Sequence, residues 1–196
     1  MRVWTVQNRR VWDHLKAGKT LQGDGRRPPP EWKAAYAWMI EQMVRRGLMG
    51  RPRFPVWGWY QPKPDLRQGG HLAPGTRGVR LELEVPLERA LLSHFEGWHC
   101  VLNGWYVPIS WKEDRTFDRL RRRLDKAGRL KPGNPPASLK VLIRKSWTRI
   151  FDWKRLDKSP LWRTQNGMPH VQAVLAEVEP GDVIRAEPFI SRCGVK

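Results

Sequence analysis

Val79, Leu81, Leu83 and Val85 alternate with Arg80, Glu82 and Glu84. Side chains along a strand point alternately to opposite faces, so this run demands a β-strand with one apolar and one charged face. It is the clearest strand signal in the chain. Further strands are expected at Val3–Val6, Pro55–Tyr60, Val171–Val178 and Val183–Ile190. Glu179-Pro180-Gly181-Asp182 supplies the turn between the last two. Strands at both ends with helices between them predict an α+β domain, not an alternating doubly wound sheet.

The helices announce themselves by their ends. Asn8 can cap a short one carrying Val11, Trp12 and Leu15 on one face, with Gly18 as its stop. Trp32, Tyr36, Met39 and Met43 recur at helical spacing and predict a helix over 31–46, ended by Gly47. A strongly basic helix is expected from Asp114 to about 127, with Phe117, Leu120 and Leu124 inward and Gly128 closing it. Ser138 is the expected cap of another helix reaching Ile150. Residues 86–111 mix apolar and turn residues without a usable period. No composition break divides the chain, which predicts one α+β domain over 1–196 with a basic helical insertion at about 112–158.

Charge sets the class of partner. Among 196 residues, 37 Lys+Arg stand against 19 Asp+Glu, a formal +18, and 12 residues are tryptophan. At 40% hydrophobic the chain can fill a core, which argues against intrinsic disorder. No run reaches the roughly 18–20 apolar residues of a membrane span, and Met1-Arg2-Val3-Trp4 lacks the apolar stretch expected of a secretory signal. The expectation is a cytoplasmic protein without a membrane partner. Nucleic acid, DNA or RNA, is the expected partner of such a surplus.

Two stretches carry that expectation. Arg119, Arg121, Arg122, Arg123, Lys126, Arg129 and Lys131 cluster on or just beyond one helix, enough to displace counterions from a phosphate backbone. Glu113, Asp114, Asp118 and Asp125 balance part of that charge. Around 138–158 a second basic group is interleaved with aromatic residues. There Trp147, Ile150 and Phe151 suit a core, leaving Trp153 and Trp162 as the expected base-stacking rings. Trp57 and Trp59 share a strand face and suit packing, whereas the missing side chain at Gly58 permits close approach of a ligand or another backbone.

Other chemistries find little footing. Cys100 and Cys193 form no C-x-x-C pair, and His94, Glu96 and His99 lack the further ligand and spacing of a metal site. Neighbouring His99 and Cys100 side chains diverge and make no dyad. A P-loop, a G-x-G-x-x-G and a G-x-S-x-G are all absent.

Several segments together resemble an uncharacterised bacterial domain family opening with Leu/Val-Trp-Thr-Ile/Val-Gln, here Val3-Trp4-Thr5-Val6-Gln7. Pro55–Gln61, Leu92–Phe95, Ser146–Phe151 and Val171-Gln172-Ala173 extend the likeness over most of the chain. The order of elements is also similar to that of DNA-targeting ADP-ribosyltransferase toxins. That resemblance rests on a first strand bearing the polar residues Thr5 and Gln7, a short helix ending at Gly18, an aromatic strand Trp57–Tyr60 and Pro64-Asp65-Leu66-Arg67. It continues through Leu81–Val85 to Asn103 and a late strand with Gln172-Ala173-Val174. It implies an α+β fold with split mixed or antiparallel sheets and inserted helices, around a cleft gripping NAD. Thr5, Gln7 and Arg67 would then hold the cofactor, with Glu177 or Gln172 at the scissile bond. This sequence departs from the toxins at two places: Trp4 or Thr5 replaces the opening His, and Val174 stands where the catalytic Glu is expected. The alternative is a non-catalytic RNA- or DNA-binding module using the basic helix and aromatic stacking.

Overall fold

The computed structural model describes residues 1–26, 28–61, 71–131, 135–163 and 170–192. Two compact units emerge: Met1–Leu92 with Val171–Lys196, and Ser93–His170. The second unit begins well before the expected insertion at 112–158, because it takes in much of the stretch whose sequence shows no period.

The first unit is built on one six-stranded sheet. Its strands are β1 (Arg2–Asn8), β2 (Val56–Gln61), β3 (Arg77–Glu84), β4 (Ala90–His94), β5 (Val171–Leu175) and β6 (Val183–Ile190), in the order β4-β5-β2-β1-β3-β6. The β1–β3, β1–β2, β2–β5 and β3–β6 pairs are antiparallel. The alternation at 79–85 does what its pattern requires. Val79, Leu81, Leu83 and Val85 are almost fully buried and join Val3, Leu15, Ala173 and Leu175 in one core, so β1, β3 and β5 bury the same face. Trp12 of α1 (Arg9–Lys16) packs against this core too. Asn8 caps α1 by accepting from the Val11 N–H at 2.9 Å, and Gly18 ends it at φ 79°. α2 (Lys33–Arg45) buries Ala35, Trp38, Met39, Gln42 and Met43. The expected anchor Trp32 instead lies outside, because the first turn is a 3-10 turn that rotates it away from that stripe.

The sheet has a seam. β1 pairs with β3 along its whole length, yet the one β1–β2 register pair among the described residues is Trp4↔Trp59. Where the ladder lapses, the Thr5 hydroxyl donates to the Trp57 carbonyl at 2.8 Å and accepts from the Gln7 amide at 3.2 Å. Gly58 lets β2 come close at this point. A Cβ there would lie 2.4 Å from Val3 Cγ1 and 3.1 Å from the Trp4 carbonyl oxygen, so the expected close approach is that of another strand. Gly58→Ala is therefore expected to cost about 1–3 kcal/mol of overpacking. For a chain of this size that lowers Tm by roughly 3–10 °C in a circular-dichroism melt. An unchanged Tm would mean the seam opens at no cost.

The second unit is helical: α3 (Phe95–Leu102), α4 (Trp111–Lys126), α5 (Ala137–Trp147) and α6 (Trp153–Asp157). Its interior includes Trp98, Val101, Phe117, Leu139, Trp147, Ile150 and Leu156. α4 starts three residues before its expected first residue, Asp114, because Ser110 is the cap. The Ser110 hydroxyl accepts from the Glu113 N–H at 3.2 Å. The Glu113 carboxylate turns back to accept from the Ile109 N–H at 2.8 Å. Gly128, at φ 65°, closes the helix, and the Arg129 N–H reaches the Leu124 carbonyl at 2.8 Å. Among the described residues no helix is long and apolar enough to cross a membrane.

Candidate nucleic-acid interface

At about 100° per residue, α4 separates its side chains into three stripes. Phe117 and Leu124 point inward, and Phe117 stacks on Tyr106 with ring centroids 4.2 Å apart and planes 8° from parallel. Arg149 locks this corner. Its guanidinium lies over the Tyr106 ring and donates to the Glu113 carboxylate at 2.8 Å and to the Val107 carbonyl at 2.6 Å. Burial alone would push the Glu113 carboxyl up. Hydrogen bonds from Tyr106, the Ile109 N–H and Arg149 outweigh it and hold the group below its ordinary value.

Opposite Phe117, the spacing i, i+4, i+7, i+11 lines up Arg115, Arg119, Arg122 and Lys126, all exposed, with Arg123 beside them and Arg129 just past the helix end. Arg119 bonds the Thr116 hydroxyl at 3.0 Å. Among the described residues, none of these six has a carboxylate within ion-pair distance. Arg121, expected with this group, belongs to the third stripe instead. That stripe is Asp114, Asp118, Arg121 and Asp125, with Arg121 4.0 Å from Asp118. It faces a cavity of about 660 Å³ whose walls include Trp105, Tyr106, Phe117 and Trp162.

The exposed rings are not those expected. Trp162 is half-buried, donates its indole N–H to the Pro108 carbonyl at 2.7 Å and packs edge-on against His94. Trp153 is half-buried, with Lys154 over its ring. Within the helical unit Trp105 and Trp111 are open, at 61% and 51% exposure. Both were legible in part: Trp105 follows the turn Asn103-Gly104, and Trp111 falls off the Phe117 face of the helix.

The residues expected to hold NAD and those expected at its scissile bond separate. Thr5 and Gln7 are buried on the core face of the sheet, engaged in the seam. Gln172 lies on the other face, since it stands opposite Trp59, which stands opposite Trp4. Its amide oxygen is buried with no hydrogen-bond partner among the described residues. Glu177 follows β5 and is held by Arg53 at 2.6 Å, with the Gln22 amide 3.4 Å away. Arg67 lies outside the described residues, as does Cys193.

The remaining polar groups have structural uses. His94 is fully buried and caps α3, its Nδ1 accepting from the Gly97 N–H at 3.1 Å. Burial pushes its pKa down to about 4, with His170 adding to the effect. Burial likewise pushes the Cys100 thiol up to about 11, helped by Glu96 and Asp114, which leaves it protonated and a poor nucleophile. Among the described residues no three His, Cys, Asp or Glu side chains are grouped to hold a metal.

No curated protein and no solved structure matches the chain. A family model does, over residues 2–184, described as a domain of unknown function. With nearly its whole length matched, the chain belongs to the family DUF3841.

Proposed function

We propose that this chain binds nucleic acid through the helical unit, with the outward stripe of α4 as its phosphate-contacting surface. The carrying observation is the row Arg115, Arg119, Arg122 and Lys126, exposed and without carboxylate partners among the described residues, in a chain of net charge +18. Cations already paired to carboxylates would release few counterions on binding; unpaired ones release nearly a full complement. The open faces of Trp105 and Trp111 add stacking surface in the same unit. Fluorescence anisotropy of labelled 20-mers, single-stranded and duplex, from 50 to 300 mM salt tests this. About five phosphate contacts give a log–log salt slope near −3.5 on a single strand. No binding at 50 mM would remove the reading.

A second reading, an NAD-dependent ADP-ribosyltransferase-like enzyme acting on DNA or RNA, is supported by one observation in the sheet unit. The orphaned Gln172 oxygen shares a sheet face with the half-buried Trp4 and Trp59, and an acceptor of this kind can orient a ribose hydroxyl. Against it, an amide cannot act as a base, Val174 is apolar and Glu177 is engaged by Arg53. Calorimetry with NAD, followed by transfer of label from NAD to a polynucleotide, decides it. Absence of NAD binding leaves the non-catalytic module.

A further inference from the structure

We propose that the cavity beside α4 is a pocket for one unstacked base of a single nucleic-acid strand, with a preference for guanine. This rests on the nucleic-acid reading above and adds a specificity to it. At about 660 Å³ the cavity is of ligand-pocket size. Its walls offer the rings of Trp105, Tyr106, Phe117 and Trp162, which suit a flat apolar face.

Its polar rim is selective. Asp114, Asp118 and Asp125 line it beside the cations Arg121 and Lys131, and ionised carboxylates only accept hydrogen bonds. An occupant that combines an aromatic face with donors and an acceptor along one edge satisfies both the aspartates and these cations. Guanine presents N1–H and an exocyclic amino group side by side, matched to the two oxygens of one carboxylate. Thymine offers a single N–H, and adenine and cytosine one amino group each. Arg121 lines the same cavity 4.0 Å from Asp118 and supplies the donor that guanine O6 needs.

Charge separates this occupant from its main rival. An organic cation would also satisfy the aspartates, but it must approach a chain of +18 with an arginine stripe on the same helix. A nucleic-acid strand brings phosphates to that stripe while its base brings donors to the cavity. A duplex cannot do both, because its Watson–Crick edges are already paired. The pocket thus calls for a single strand with a base turned out of the stack.

The test uses the full chain and fluorescein-labelled heptathymidylate with dT, dG, dA, dC or deoxyinosine at the centre. The dG oligomer is expected to bind about tenfold tighter than all-dT, as a bidentate contact warrants. Deoxyinosine, lacking the amino group, should fall between them. Asp118→Asn and Asp114→Asn make the chain more basic, so every oligomer binds somewhat tighter while the dG preference shrinks below about threefold. Equal binding of all five oligomers overturns the pocket and leaves the nucleic-acid reading standing. A dG preference unmoved by both substitutions also overturns it, as does displacement of the dG oligomer by spermidine at concentrations that leave all-dT bound. Failure of every oligomer to bind removes the underlying reading instead.

Discussion

Replacing Arg119, Arg122, Arg123 and Lys126 together by Gln is expected to weaken single-strand binding about 10²–10³-fold at 0.1 M salt. Each phosphate contact releases about 0.7 of a counterion on a single strand, and that release is worth somewhat under a decade in affinity at this salt concentration. Four lost contacts also flatten the salt slope by about 3. All four side chains are exposed and Gln is a good helix former, so melting should hold near the wild-type value. That pairing of lost binding with kept stability identifies a footprint. Unchanged affinity would show that the stripe is merely a solvated face. Substituting Arg149 is a poor substitute for this experiment. Its charge is committed to Glu113, Tyr106 and the Val107 carbonyl, so its loss would disturb the start of α4 along with any ligand.

Acid should destabilise the protein earlier than its carboxylates require. His94 has its folded pKa lowered from 6.5 to about 4. The native state therefore binds fewer protons than the unfolded state between those values, and stability falls as pH drops through that window. Above about pH 6.5 the contribution is complete, and below about 4 this group takes nothing further. A shift of this size corresponds to about 3 kcal/mol. The geometry gives the reason: a proton on Nδ1 would abolish the acceptor that caps α3 and place a charge in a fully buried site. Urea titrations at pH 7 and pH 4.5 should show the loss in the wild type. His94→Asn keeps a capping acceptor but cannot titrate, so it should lose most of that pH difference, whatever its stability at pH 7. An equal pH dependence in both proteins would place the acid sensitivity elsewhere.

What could be read from residues alone was local. The period of two at Val79–Val85 and the helix stops at Gly18, Gly47 and Gly128 each depend on near neighbours, and all were legible. The strand order was not, because β5 reaches β2 across more than a hundred residues that say nothing of the pairing. The segment of β4 and α3 was hidden for another reason. Ser93 and His94 are buried polar residues, so they break the apolar pattern by which a strand and its following helix are found. At the candidate site the density of arginine was plain, but its sorting was not. Arg121 and Arg122 are adjacent in sequence, yet one lines the cavity and the other faces outward, a distinction that depends on where Phe117 anchors the helix. Trp162 shows the same limit: its fate is decided by the Pro108 carbonyl, 54 positions earlier.

The seam between β1 and β2 gives the sheet an uneven stiffness. Among the described residues it is two plates joined at one register pair, Trp4↔Trp59, with the Thr5 hydroxyl as a further fastener. Shear along the strands would meet a continuous ladder between β1 and β3 but, among the described residues, a single register pair at this line. The row Gln172–Trp59–Trp4 runs straight across it. Slippage of one plate against the other would thus change the spacing of those rings and of the orphaned amide first, before any core residue of β3 moved.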